Sequence, residues 1–439
     1  MQDCPILIVG AGITGLALAD QFQKTGKEFL LLEAAKQVGG NIQTRSHRGY
    51  LADLGPNTLL LKDPRWQSWL TELGIEQQIQ VANPLARRRY IVNEHRQLIP
   101  LGPGILFHNR LLSLRARLRL LGEPLRGRGQ DPDESIASFI RRRLGPEVLR
   151  WLVDPFVSGV FAGDPEQLAV AAALPRLSQL EMRYGSLLLA GLLAPKSPRA
   201  PLISFSQGLS TLPQALAQRL GSRLVCNCTV EQLEFAQDHW LVHSTQGSWR
   251  SPQLILALPA YAIAQILPPE AQELRQLLLE IMYPAVATVA LGFARDQIQH
   301  PLDGFGALIP RCLGIPTLGV LFSSTLFPHR APEGKVLLTA FLGGAQGKLP
   351  QEESGILQQV WSDLQPLLGI RGEPDLTLSQ RWAHAIPQYD RGHRIRLERI
   401  QTLRKQWSGL TLLGNWQGGV ALGDCLHSAS ECATQWTQC

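Results

Sequence analysis

Hydrophobic and polar positions along this chain fall into three regimes. Near the N-terminus two short all-apolar runs, Ile6–Val9 and Phe29–Leu32, flank a segment of helical spacing from Leu16 to Thr25. Continuous apolar runs of four residues beside turn residues predict strands buried on both faces, as in a parallel sheet. Leu254–Ala257, closed by Pro259, is a third such run, and Leu410–Leu413 is expected to be the final strand. In the second regime Phe107, Leu111, Leu114, Leu118 and Leu121 recur at intervals of four and three, which predicts an amphipathic helix over 105–121. Further helices are expected over 135–144, with Ser135 as N-cap, and from Glu147, interrupted by the small residues of 154–165. In the third regime strands are expected at 285–293, 304–309, 318–322 and 336–342, forming an antiparallel sheet, and then a helix over 351–368. Between these regimes come a helical connector at 65–73, a hairpin at 89–100 turning at Asn93–Glu94, and a linker at 195–201. A helix at 208–220 and strands at 223–228, 230–235 and 240–244 follow, and a helix at 425–436 closes the chain. The last strand, the glycine-rich turn 414–423 and this final helix mirror the N-terminal unit, so the C-terminus is expected to return to it.

The chemistry concentrates where the first strand ends. Gly10-Ala11-Gly12-Ile13-Thr14-Gly15 joins strand to helix, and Glu33 stands at the end of the second strand. That order is a dinucleotide-binding βαβ unit. Gly10 permits the tight turn, Gly12 lets backbone approach a pyrophosphate, and Gly15 brings helix and sheet together. The helix start at Ile13 and Thr14 faces the phosphate charge. Glu33 is placed to accept hydrogen bonds from ribose hydroxyls, with Ala34 beside it. A second glycine pair, Gly39–Gly40, and the turn Asp53-Leu54-Gly55-Pro56-Asn57-Thr58 expose further backbone. They suit a longer ligand lying extended across the sheet edge, as FAD does. The N-terminal segment resembles the flavin-binding start of the amine oxidase, phytoene desaturase and protoporphyrinogen oxidase superfamily. Asn41 is a departure, since many members carry Arg after the glycine pair.

Composition narrows the class. At 439 residues, with 45% hydrophobic and 18% charged, the chain is a packed globular protein of two or three domains. No apolar run reaches the ~20 residues that span a bilayer. No signal peptide is expected, because the first residues already form a strand and Asp3 breaks the charge pattern. Seven scattered cysteines without paired spacing point to free thiols and to no metal. From Arg87 to Arg150 fourteen arginines stand against six carboxylates, a local net charge of +8. Such a patch suits nucleic acid, an anionic membrane or an acidic substrate, and no nucleic-acid motif accompanies it. The basic helix 105–121 has two readings, a helix packed on the core with its arginines in water, or one lying in a membrane interface.

Six further segments carry a more specific resemblance. They are Phe156–Pro165, Pro301–Pro310, Leu318–Ser324, Phe341–Gly344, Ala385–Tyr389 and Gly414–Gly423. Together with the N-terminus they resemble the protoporphyrinogen oxidase family over essentially the whole chain, in its oxygen-dependent, plant-organelle form. The resemblance implies six-electron, FAD-dependent oxidation of protoporphyrinogen IX to protoporphyrin IX, with molecular oxygen as acceptor and peroxide as by-product. This is the next-to-last step of haem synthesis. It implies an α/β fold in three parts: a Rossmann-like FAD-binding domain assembled from 1–85, 196–262 and 381–439; a helical membrane-associated region, 86–195; and an α+β substrate domain with an antiparallel sheet, 263–380. It favours the interface reading of the basic helix, with peripheral association on the cytoplasmic side. It also admits a homodimer and a hand-off of product to ferrochelatase or magnesium chelatase.

Carried over by motif, Arg89 pairs with a substrate propionate. Leu308, Leu321 and Phe341 wall the ring pocket, and Asn57 and Gly163 line the same cavity. Val230, Ala257, Trp382, Trp416, Gly419, Val420, Ala421 and Leu422 join the cofactor contacts, with the C-terminal turn covering the flavin. Read from composition alone, Arg89 is equally one more solvated arginine of the run Arg87–Arg89. The flavin removes the hydride, so the protein positions and shields, and no residue stands out as a general base. Two other readings differ in class. An amine oxidase tends to bring an aromatic pair to the flavin, whereas here only Trp416 lies in the C-terminal turn. A non-catalytic relative such as the Rab GDP-dissociation inhibitors does not need the intact pairs Gly39–Gly40 and Gly418–Gly419.

Overall fold

The computed structural model describes residues 1–102, 111–195 and 200–437. The sequence of short apolar runs resolves into a five-stranded parallel sheet. Its order is 224–225, 30–32, 7–9, 254–257, 410–413. Strand Leu7–Val9 lies between Leu30–Leu32 and Leu254–Ala257, and Leu254–Ala257 pairs in turn with Leu410–Leu413. Residues over 400 positions apart thus share one sheet, and the C-terminus returns to the N-terminal unit as its pattern suggests. Helix Ile13–Lys24 covers one face, joined by the last helix, Leu422–Thr437, whose Cys425, Leu426 and Ala429 enter the same core. The other face is covered by helices 260–266 and 272–279 and by a four-stranded layer that includes 230–236, 239–244 and 247–251. Ile263, Leu274 and Leu278 therefore pack beneath the nucleotide sheet, although the expected boundary at 263 gives them to the substrate region.

The second sheet has seven strands in the order 376–382, 286–294, 335–343, 317–321, 306–308, 89–92, 98–101. Six of these strands are expected from the pattern, two of them as the hairpin. The edge strand Leu376–Trp382 is not. The hairpin 89–101 forms as expected, but strand Arg89–Val92 pairs in parallel with Gly306–Leu308, so it belongs to this sheet and not to the helical region that starts at 86. Helix Glu353–Leu368 packs Ile356, Val360 and Leu364 against one face, with Tyr90, Ala307, Val320 and Ala340.

The helical layer lies on the opposite face, with Ile91 and Leu308 in its core. Of the helix expected at 105–121, residues 103–110 fall outside the described residues, and the described helix runs Leu114–Leu121 with Ser113 capping it through Ala116 N–H. Most of the linker at 195–201 also falls outside them. Of the stretch 154–165 expected to interrupt the helices, residues 154–161 are themselves helical. A turn of wide helix at 149–153 passes into helix Asp154–Phe161, because Pro155 sits in its first turn, where no N–H is needed. The helix ends at Ala162 in the left-handed conformation, with φ 50°.

The arginine-rich stretch is only partly a surface. Arg143 is fully buried, paired with Glu123 at 3.1 Å and Glu181 at 2.5 Å, and Arg142 pairs with Glu134 and Glu181, both at 2.7 Å. Glu123 also accepts from Ser186 Oγ and from the N–H groups of Leu187 and Leu188, which anchors helix Leu187–Leu193. A buried charge network of this kind fixes one packing arrangement of these helices.

Candidate active site

At the carboxyl edge of the parallel sheet four chain segments converge, the position where such folds hold nucleotides. They are the loop at 10–12, Glu33, Ala257 and the turn that begins at Gly414. The glycines of the first loop divide into two kinds. Gly10 has φ +102°, and a Cβ there would stand 2.6 Å from the Ala257 carbonyl oxygen. A Cβ on Gly15 would overlap the Gly10 carbonyl oxygen. Both are required by the protein itself. A Cβ on Gly12 meets no protein atom within 4 Å, and one on Gly40 meets only Gly12 Cα, at 3.6 Å. Gly12 and Gly39 are bridged, with Gly39 N–H donating to Ala11 O at 2.8 Å. The two glycine pairs thus bound one open cradle walled by backbone. Gly12 is also the N-cap of helix 13–24 and has no side-chain cap, so the helix start faces this cradle. The donor set and the space fit a pyrophosphate.

Glu33 accepts from Ala11 N–H at 2.7 Å and from Ala35 N–H at 2.8 Å, one on each carboxylate oxygen. Each oxygen keeps a second lone pair, so Glu33 can receive ribose hydroxyls while holding the loop. Ala34 is exposed beside it, and Ala257 supplies the carbonyl that packs on Gly10. Val230 is buried in the core behind this edge. Gly55 lets the 53–58 turn cross the main chain at Asn41, where a Cβ would overlap the Asn41 carbonyl oxygen. Asn57 turns back to donate to Gly55 O at 2.9 Å, and Trp382 donates its indole N–H to Leu54 O at 3.0 Å. Pro56, Asn57 and Thr58 remain half-buried along the same edge.

Trp416 stands apart from the cofactor contacts expected of it. Its side chain is fully buried and donates to Leu258 O at 3.1 Å, so the ring supports the turn from behind. Gly419, Val420 and Leu422 are half-buried and Ala421 exposed, and Asp424 accepts from Ala421 N–H at 3.2 Å. Sequence reasoning also passed over Asp53. This buried carboxylate takes hydrogen bonds from Thr44, Leu209 N–H and Arg330, tying the start of the 53–58 turn to the segment before helix 211–220 and to the short helical turn 328–330. Burial raises its pKa, and the Arg330 guanidinium opposes that rise. The signal available was an acid directly ahead of Leu54-Gly55-Pro56.

The second sheet gathers the expected substrate residues. Residues paired across strands point to the same face. Arg89 is opposite Gly306, and Gly306 opposite Leu321. Leu308 is opposite Gly319, and Gly319 opposite Phe341. Their neighbours Tyr90, Ala307, Val320 and Ala340 fill the core beneath, so Arg89, Leu308, Leu321 and Phe341 all project from the other face. The two intervening positions are glycines, so no side chain stands between them. Helix 154–161 lies over this face, with Gly159 against Leu308, where a Cβ would come within 2.5 Å of Leu308 Cδ2.

Arg89 is exposed, with its guanidinium 5.0 Å over the Phe305 ring, and among the described residues no carboxylate pairs with it. Arg88, on the opposite face, pairs with Asp303, to which Tyr90 also donates. Gly163 has a different reason for being glycine than contact with substrate. A Cβ there would stand 2.6 Å from Gln388 Oε1 and 2.7 Å from Leu168 Cδ1. It borders a cavity of about 310 Å³ that also touches Ala162, Arg311, Leu318 and Gly343, at the end of the face away from Arg89.

With this geometry in view, comparison with known proteins is informative. The model of the family described as flavin containing amine oxidoreductase matches residues 13–435. The chloroplastic protoporphyrinogen oxidase of Nicotiana tabacum is 33% identical, with 99% of this chain and 85% of the tobacco protein covered. Coproporphyrinogen III oxidase of Bacillus subtilis is 29% identical over 96% of this chain and 95% of its own length. A crystal structure from Exiguobacterium sp. 255-15 superposes with a TM-score of 0.85 at 24% identity, covering 99% of this chain and 98% of that one. Reduced UDP-galactopyranose mutase superposes at 0.76 with 17% identity, covering 99% of this chain and 96% of its own. At these identities the two structures speak for the fold.

Proposed function

The chain belongs to the flavin containing amine oxidoreductase family and, within it, to the protoporphyrinogen oxidases, and from that premise we propose the following reading of its site. The enzyme oxidises protoporphyrinogen IX to protoporphyrin IX with FAD as cofactor. Six electrons and six hydrogens leave the substrate, and three molecules of oxygen become three of hydrogen peroxide. When bound, FAD supplies the acceptor for each pair of electrons. The open cradle at Gly12 and Gly40 would hold its pyrophosphate, Glu33 its ribose, and the turns at 55–58 and 419–422 the remainder.

The protein's own task is to bind, orient and keep water out. The observation that carries this assignment is that Arg89, Leu308, Leu321 and Phe341 share one face of one sheet. A cation at one end of an apolar wall suits a wide apolar ring with carboxylates on its rim. Peroxide measured against porphyrin fluorescence during aerobic turnover is expected to give about three to one, from the balance of electrons. Porphyrin formation no faster than autoxidation would remove the reading. Unchanged turnover without oxygen would remove oxygen as acceptor.

The site of action is a membrane surface. Among the described residues no helix is long and apolar enough to cross a bilayer. The helical layer does expose leucines on neighbouring elements. Leu114, Leu118 and Leu121 lie on one helix, Leu125 on the turn beside it, and Leu192 and Leu193 on the helix packed against that turn. Leu125 is 93% exposed and Leu192 81%. Arg115, also exposed, stands beside them. Leu111, from the same sequence stripe, is buried and belongs to the core. Clustered apolar side chains rimmed by arginine suit an interfacial site on anionic lipid. Replacing Leu118, Leu121 and Leu125 by Glu is expected to lower binding to anionic vesicles about tenfold or more, since each buried leucine contributes roughly 1.5–3 kcal/mol. Flavin content should be unchanged. Equal sedimentation of variant and parent with the vesicles would remove this surface from the interface.

A further inference from the structure

Tyr389 and His393, at the start of helix His393–Arg404, have no part in the substrate wall or the pyrophosphate cradle described above, yet they hold the glycine-rich C-terminal turn from one side. We propose that Tyr389 is a positioning residue whose hydroxyl latches the 414–423 turn in the shape that receives FAD. This rests on the flavin reading given above and adds a residue to it.

The latch consists of two stacked rings. Tyr389 is buried, and its hydroxyl accepts from Gly419 N–H at 2.9 Å and donates to Asn415 O, so one atom bridges both limbs of the turn. Its ring lies flat on His393, with centroids 4.5 Å apart and planes inclined by 13°. His393 Nε2 is 2.9 Å from Trp416 O. A carbonyl only accepts, so Nε2 carries the proton. The turn is therefore gripped at residues 415, 416 and 419. Burial pushes the Tyr389 hydroxyl well above the ordinary phenol range, so the proton that bonds Asn415 O stays in place. Burial and the Arg396 guanidinium push His393 down to about 4, so its ring is neutral.

The same segment reaches the substrate side. Tyr389 O accepts from Ala169 N–H at 2.9 Å, and the Gln388 amide donates to Phe161 O at 2.9 Å, at the end of the helix that lies over Leu308. The turn needs such fixing. It carries Gly414, Gly418, Gly419 and Gly423, and Gly419 has φ +137°, a conformation that glycine alone adopts readily. Left free, that backbone would lose entropy on closing over a ligand, whereas a turn already held binds more tightly.

Tyr389→Phe keeps the ring and the stacking and removes both hydrogen bonds to the turn. The flavin-stripped full-length chain, titrated with FAD well below its melting temperature, is expected to show a dissociation constant raised about tenfold or more. The visible flavin absorption band should shift, because the turn no longer sets the flavin's surroundings. His393→Gln, which keeps a donor for Trp416 O but loses the stacked ring, should give a smaller change in the same direction. An equal dissociation constant and an identical flavin spectrum in Tyr389→Phe would overturn the latch, as would a fall in melting temperature alone. Failure of the parent chain to take up FAD would instead remove the flavin reading, so the two failures are distinct.

Discussion

Gly12→Val is expected to purify folded and colourless, whereas Gly15→Val is expected not to fold. Both glycines belong to one six-residue motif, and sequence reasoning gives both a backbone role near a nucleotide. The packing separates them. At Gly15 the helix passes so close to the Gly10 carbonyl that any Cβ overlaps it, and Ala257 Cβ stands 3.2 Å away on the other side. Neither neighbour can yield, because Gly10 is itself held against the Ala257 carbonyl in the centre of the parallel sheet. Overpacking a fixed backbone contact typically costs 1–3 kcal/mol and more where nothing relaxes, a large part of the stability of a domain. Gly12 has φ −67° and ψ 174°, which valine adopts readily, and its Cβ would enter empty space. The protein loses nothing by the substitution. A pyrophosphate approaching the N–H groups of that loop would meet two methyl groups. Circular dichroism and the absorbance ratio of flavin to protein check the pair. Stoichiometric flavin in a folded Gly12→Val protein would move the phosphates away from this loop.

How much was legible in the sequence follows from which contacts are local. The parallel strands declare themselves, because a strand buried on both faces has to be largely apolar: 7–9 and 254–257 are wholly so, and in 410–413 only Thr411 is polar. What the runs do not carry is their partners. Arg89–Val92 pairs with Gly306–Leu308 across more than two hundred residues, and no local pattern expresses that, so the hairpin was assigned to the wrong neighbour. The strand Leu376–Trp382 escaped notice because it is an edge strand with mostly half-exposed residues and weak alternation. Helix 393–404 escaped because only His393, Ile400 and Leu403 of its twelve residues are buried, too few to mark an apolar stripe. Proline and glycine at 155 and 159 read as breaks. One begins a helix and the other lets that helix approach Leu308.

The candidate site divides along the same line. Gly10, Gly12, Gly15 and Glu33 were legible because their chemistry lies within 24 residues of chain. The resemblance supplied Arg89, Leu308, Leu321 and Phe341, and their common face rests on strand register that the sequence alone does not express. Trp416 was misread because an aromatic in a glycine turn gives no sign of which way it points. Here it points into the core. Tyr389 and His393 lay in plain view, but a buried polar pair is recognisable only by its partners.

Arg89→Ala is expected to raise KM for protoporphyrinogen about tenfold or more, while Arg88→Ala leaves it nearly unchanged. The two side chains are adjacent in sequence and identical in charge, so composition cannot rank them. Strand geometry does, since neighbours on a strand face opposite ways. Arg88 turns to Asp303 and is already paired, in an exposed setting where such a pair contributes about 0–1 kcal/mol. Arg89 turns to the face shared with Leu308, Leu321 and Phe341, and the Phe305 ring beneath its guanidinium limits its rotamers without neutralising it. A carboxylate arriving at that face therefore finds a free planar fork, and a charge-assisted bond is worth roughly 1.5–3 kcal/mol, or about one to two powers of ten in affinity. Arg89→Lys should fall between, because it keeps the charge and gives up the bidentate geometry. The loss should appear in KM more than in kcat, since the carboxylate lies on the ring's rim, away from the carbon that is oxidised. Steady-state fluorescence kinetics on the three variants, each at full flavin occupancy, make the comparison. Equal changes in Arg88→Ala and Arg89→Ala, or none in either, would take Arg89 out of the site.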